Sequence, residues 1–193
     1  EDPSRQFSNE SVLVYEGSTD ADGHANVDAN LELSTAAPGF LNAVFKGKVY
    51  EESGNFSIDR FVLPYSPYDA YVGIKTPKGE PYTGVLYSDT THKVEFATVD
   101  ASGNPLSRKL DVNIYKLNWR WWWDNSSDYL ANYVEGSYAQ VIQTGTVTTA
   151  NGKGSWNFQI KSPEHGRYFI RACDPESGHC TGQIIYVDEP GWY

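Results

Sequence analysis

The chain has 193 residues, with 15 Lys+Arg against 25 Asp+Glu, a formal charge of −10, and aromatics at 15%. That aromatic content excludes a disordered chain, and an acidic balance with scattered basic residues excludes a nucleic-acid binder, which needs clustered Lys and Arg against phosphate. No run approaches the ~20 apolar residues of a membrane span, no basic-then-apolar signal opens the chain, and two cysteines are too few for a disulfide miniprotein or a four-Cys zinc site. A length near 200 suits one large domain or two small ones. Met is absent, the first residue included, so the chain reads as a mature product or a piece of something longer.

Periodicity two runs through almost the whole chain. Val12–Tyr15, Ala25–Leu33, Ala43–Tyr50, Asn55–Val62 and Ala70–Ile74 are alternating or β-rich. Lys93–Val99, Leu110–Leu117, Ala139–Thr148, Gly154–Ile160, Arg167–Cys173 and Gly182–Val187 continue the series. Alternation gives each run a buried face and a solvent face. Asp22-Gly23, Ser53-Gly54, Ser102-Gly103-Asn104, Asn151-Gly152 and Ser177-Gly178 supply the turns between them. The fold class is all-β, with antiparallel sandwiches. Asn125–Tyr133, opened by capping residues, is the one candidate short helix or irregular excursion. Thr76-Pro77-Lys78-Gly79-Glu80-Pro81 interrupts any ladder and marks a boundary, giving segments 1–76 and 77–193. The first is short for a sandwich of ~100 residues and needs a neighbour or further chain to close its core.

Chemistry-bearing motifs are sparse. Trp119, Trp121, Trp122 and Trp123 crowd five positions; they suit either a sugar-stacking platform or a buried core or interdomain surface, the second reading being favoured by general burial tendencies. Asp20-Ala21-Asp22-Gly23 opens like a calcium loop, but Ala29 falls where a bidentate Glu is required, so a turn is expected. His24, His92, His165 and His179 form no zinc-spaced pair. Ser177-Gly178-His179 is no nucleophile motif, and Glu51-Glu52 reads as a solvated turn. No cofactor or metal is expected. Cys173 and Cys180 bracket six loop residues, which sets them opposite each other in an antiparallel hairpin. Geometry favours a disulfide there over two buried thiols.

Three phrases carry a resemblance. Tyr65-Ser66-Pro67-Tyr68-Asp69-Ala70-Tyr71-Val72-Gly73-Ile74 is the first, and Leu117-Asn118-Trp119-Arg120-Trp121-Trp122-Trp123-Asp124 the second. Gly166-Arg167-Tyr168-Phe169-Ile170-Arg171-Ala172-Cys173-Asp174, with Ser177-Gly178-His179, is the third. Together, from about Val12 to Trp192, they resemble the central macroglobulin-like domains of bacterial alpha-2-macroglobulins of the Bacteroides-like type. The resemblance likens 1–76 to the fifth such domain and 77–193 to the sixth.

It implies immunoglobulin-like sandwiches stacked into the body of a broad-spectrum endopeptidase inhibitor, with no catalytic role for these modules. Neighbouring macroglobulin-like domains of the same parent become the partners, and target proteases are met through the parent. An extracytoplasmic, periplasmic parent, in some cases lipid-anchored, also follows from the resemblance. The family's thioester motif, C-x-E-Q, is matched only in its Cys-to-Gln spacing by Cys180-Thr181-Gly182-Gln183, with Gly182 in place of Glu. A thioester is therefore not expected here. The rival reading is a carbohydrate-binding or adhesion sandwich using the Trp119–Trp123 cluster as its platform.

Overall fold

The computed structural model describes residues 2–5, 7, 11–33, 36–117 and 140–191. In chain order the strands are β1 (Leu41–Tyr50), β2 (Phe56–Tyr65), β3 (Ala70–Lys75), β4 (Leu86–Tyr87) and β5 (His92–Asp100). They continue as β6 (Lys109–Leu117), β7 (Gln140–Thr148), β8 (Lys153–Phe158), β9 (Gly166–Cys173) and β10 (Cys180–Asp188). The described residues contain no helix. The strands make a five-stranded sheet ordered β4-β10-β9-β6-β7, a three-stranded sheet ordered β3-β5-β8, and the separate pair β1-β2. Every pairing is antiparallel except the short β4–β10 contact, where Val187 lies beside Leu86.

The larger sheets pack face to face because alternation gives each an apolar side. In β5, Val94 and Phe96 point inward while Lys93 and Glu95 point out, and Glu95 pairs with Lys75 and Lys93 at the surface. Leu110, Val112 and Ile114 of β6 meet Tyr168, Ile170 and Ala172 of β9 in the same core. Each fully buried apolar side chain of this size contributes about 1.5–3 kcal/mol relative to exposure. At the start of β9, the Tyr168 ring is fully buried and its hydroxyl donates to the Glu164 carbonyl at 2.9 Å. This is the corner contact of immunoglobulin-like sandwiches, in which a tyrosine ties its strand to backbone a few residues upstream.

The segment 76–81, expected as a boundary, connects the two packed sheets. It carries the chain from β3 in one sheet to β4 in the other, closed by Glu80 N–H to Val85 O and Gly84 N–H to Glu80 O, each 2.8 Å. Gly79 sits so tightly in this crossover that a Cβ there would lie 2.2 Å from the Gly84 carbonyl oxygen. Since backbone cannot swing aside as a side chain can, Gly79→Ala should cost at least 2–3 kcal/mol, roughly the upper range for overpacking, read as a lower urea midpoint with an unchanged slope. β3 is hydrogen-bonded along its length to β5 (Ala70 opposite Asp100, Lys75 opposite Glu95). The sheet therefore gathers β3 with the later strands, and the expected break at 76/77 cuts across a continuous core.

The earlier part of the chain differs more from the reading of its sequence. Val12–Tyr15 and Ala25–Leu33 alternate, yet neither is a strand. Alternation supplies a face, whereas a strand also needs a hydrogen-bonded neighbour, and none pairs with them among the described residues. Among the described residues of 1–76, the strands are the β1–β2 hairpin and β3, which joins the three-stranded sheet. β1 and β2 are in register from Leu41–Tyr65 to Tyr50–Phe56, with Val44 and Val62 exposed on one face and Phe61 and Leu63 on the other.

Candidate functional site

The β9–β10 hairpin is built to present its tip. Asp174 N–H bonds His179 O at 2.9 Å, making 174–179 a hydrogen-bonded pair and leaving Cys173 opposite Cys180 at the adjacent non-hydrogen-bonded position. There the Cα atoms are 4.1 Å apart and the sulfurs are joined in a disulfide. Within the loop, Asp174 Oδ1 accepts the Glu176 N–H, Ser177 Oγ accepts the His179 N–H, and Gly178 takes φ +78° to close the turn. Replacing both cysteines by alanine should lower stability by about 2 kcal/mol, as expected for so short a loop. A thermal midpoint about 4–8 °C lower reads this out.

Onto this tip docks the leading segment together with the connector before β3. Asp2 has no exposed side-chain surface; its Oδ2 accepts two bonds from Arg171 (Nε 3.0 Å, Nη2 2.9 Å) and its Oδ1 two from Ser4. All four lone-pair directions of the carboxylate are thus used, the condition for a tolerable buried charge. Arg5 Nε stands 3.5 Å from the same Asp2 Oδ2, and the rest of its guanidinium reaches on to the tip. Its Nη1 donates to the Tyr68 hydroxyl at 2.6 Å, and its Nη2 to the Gly178 carbonyl at 2.8 Å and to Cys180 Sγ at 3.4 Å. The Tyr68 hydroxyl in turn donates to Ala37 O, and Phe40 stacks on Tyr71 with ring centroids 4.1 Å apart.

His179 closes the cluster. It is 3% exposed, lies edge-on to Tyr68 and tilted to Tyr71, and its Nδ1 accepts the Val72 backbone N–H at 2.9 Å. That bond places the ring proton on Nε2. Burial pushes the imidazole down to about 4, with the Arg5 charge acting in the same direction. Arg171 with Asp2, Arg5 with Tyr68 and Gly178, and His179 with Val72 each hold one part of the chain against another.

The disulfide is the one predicted site feature that falls within this cluster. Trp119, Trp121, Trp122 and Trp123 lie outside the described residues, as does the Asn125–Tyr133 excursion. Trp156 packs against the core from β8, over Gly145. The Asp20 carboxylate accepts the Asp22 and His24 N–H groups, the expected turn. Cys180 and Gln183 stand three residues apart on one strand and face opposite sides of it, and Gln183 Oε1 accepts a bond from Thr76. No group of three potential metal ligands occurs among the described residues, and no helix there is long and apolar enough to cross a membrane. Sequence reasoning missed Asp2, Arg5, Tyr68 and Arg171. Only the Tyr-rich phrase around Tyr68 hinted at a contact, because a charge pair separated by 169 positions leaves no local pattern.

Two packed sheets tied by a tyrosine corner define an immunoglobulin-like β-sandwich, with a polar joint at one end. The family model of bacterial macroglobulin domain 6 matches residues 73–192, more than half of the chain, and the chain belongs to that family. Among solved structures it is similar to native Escherichia coli alpha-2-macroglobulin, at 18% identity over 81% of this chain and 10% of that one, with a TM-score of 0.44. Salmonella alpha-2-macroglobulin reacted with methylamine is similar at 17% identity over 96% of this chain and 13% of that one, TM-score 0.45. A Listeria innocua β-glucosidase also matches, at 13% identity over 65% of this chain and 17% of its own, TM-score 0.33. The chain thus spans 10–14% of the length of the macroglobulins it matches. No curated protein matches it.

Proposed function

We propose that this chain is a non-catalytic part of the scaffold of a bacterial alpha-2-macroglobulin-like endopeptidase inhibitor. The observation that carries the reading is the family match over 73–192, joined to a site whose polar groups are spent on holding. Residues 1–76, likened in sequence to domain five, contribute a second macroglobulin-type unit whose last strand joins the sandwich, and the joint at Asp2, Arg5, Tyr68 and His179 fixes its orientation. Partners are the neighbouring domains of the parent, with proteases engaged through the parent as a whole. An oxidising compartment, periplasmic in our reading, suits the Cys173–Cys180 bond. Trp119, Trp121, Trp122 and Trp123 belong, in this account, to a core or interdomain surface.

The test incubates the full parent protein with endopeptidases of several specificities. A trap leaves cleavage of a small peptide substrate intact and suppresses cleavage of a folded protein substrate. Unchanged cleavage of both substrates across all the proteases contradicts the reading.

A further inference from the structure

A buried histidine that accepts a backbone N–H holds its neighbours only while its ring is neutral, because a protonated imidazole has two donors and no acceptor. His179 is in that position. Its acceptor atom faces Val72 of β3, its faces and edges meet Tyr68 and Tyr71, and the residue before it, Gly178, supplies the carbonyl that Arg5 grips. One ring therefore touches the sandwich, the connector and the socket of the leading segment together. We propose that His179 is an acid-responsive pin of this joint: a proton on Nδ1 breaks the bond to Val72, sets a second cation beside Arg5, and releases the leading segment from the β9–β10 tip. The proposal rests on reading the cluster as a joint.

Burial decides the ring's direction, and the charges of the described residues around it act in opposite senses. Arg5 of the leading segment opposes protonation, whereas Asp2 and Asp174 favour it. Asp2 is committed to Arg171, Ser4 and Arg5, whereas Asp174 accepts the Glu176 N–H with Oδ1 and faces Arg108 at 3.4 Å with an Oδ2 that has no hydrogen-bond partner. The Tyr68 and Tyr71 hydroxyls are bonded to Ala37 and Ser66 and offer the ring no compensation. Burial prevails and the docked ring stays neutral down to about 4, against about 6.5 for a free histidine. Between those values the released state binds the extra proton, so docking weakens as pH falls from 6.5 and levels off below 4. From pH 7 to pH 5 the docking equilibrium should fall roughly 20-fold.

Amide exchange of Asp2, Ser4, Arg5 and Val72, corrected for intrinsic rates and measured on the whole chain at pH 7 and pH 5, tests this. The expected result is a loss of protection of roughly 20-fold in the wild type. His179→Asn offers an amide oxygen to the Val72 N–H and cannot titrate, so it should show no such loss. A wild type whose protection is flat with pH overturns the proposal, and so does a variant that follows the wild type. An NMR titration of the wild-type ring, independent of the variant's folding, should give a value near 4; one near 6.5 also overturns it. Arg171→Met tells the two readings apart. If it leaves residues 2–5 fully protected at pH 7, the joint itself is refuted, and the pin with it.

Discussion

Arg171→Met should strip residues 2–5 of their protection and leave the sandwich folded. The substitution keeps most of the aliphatic stem of Arg171 but removes both of its bonds to Asp2, whose side chain has no exposed surface and is left with Ser4 and with Arg5 Nε at 3.5 Å. Removing one partner of a buried ion pair costs about 3–5 kcal/mol where nothing else compensates, and the remaining Arg5 and Ser4 contacts bring the cost here to the lower end of that range. A short segment held by a few polar contacts cannot absorb that, so it leaves its socket and the carboxylate regains water. The loss of global stability is then capped at the free energy of docking, while local exchange rises fully. Asp2→Ala should be milder: it removes the buried charge itself and leaves Arg171, 17% exposed, free to turn to solvent. Hydrogen exchange and limited proteolysis of the two variants check the order. Asp2→Ala proving the more damaging would mean that the Arg171 charge, not that of Asp2, is the costly one.

Tyr168→Ala should be the most destabilising single change in the sandwich, at about 4–5 kcal/mol, as expected for emptying the site of a fully buried aromatic. Tyr168→Phe keeps the ring and loses only the bond to Glu164 O, so about 1 kcal/mol is expected. The Glu164 carbonyl can then turn to water, since its residue is exposed. Urea denaturation of the pair separates packing from hydrogen bonding. Equal losses would mean that the corner bond, rather than the ring, holds β9. Burial also pushes the Tyr168 hydroxyl up to about 12. The unfolded chain deprotonates first, near 10, so stability is retained below that pH and declines as pH rises through about 12.

What the sequence reveals about this fold is whatever repeats along a strand. The runs read at 43–50, 93–99, 110–117 and 167–173 lie within β1, β5, β6 and β9, because one buried face leaves a period-two trace. β4 leaves none: two residues are too few for a period. The alternation at Ala25–Leu33 is equally clear, yet pairing depends on a neighbour that alternation does not encode. The Pro- and Gly-rich 76–81 is a tight segment in both readings, but composition cannot distinguish a linker from a crossover; that depends on where the strands before and after it bond. The disulfide is legible because both cysteines belong to one hairpin. Asp2 with Arg171, and Val72 with His179, are brought together only by the tertiary fold, across separations of 169 and 107.

The measurement that bears most directly on the central claim compares the parent inhibitor with its Arg171→Met form in the two-substrate protease assay. The account predicts that the wild-type parent shields the protein substrate while sparing the small one, and that the variant, with its joint released, shields markedly less. A variant parent that shields as well as the wild type would contradict the claim that this joint is part of the working scaffold.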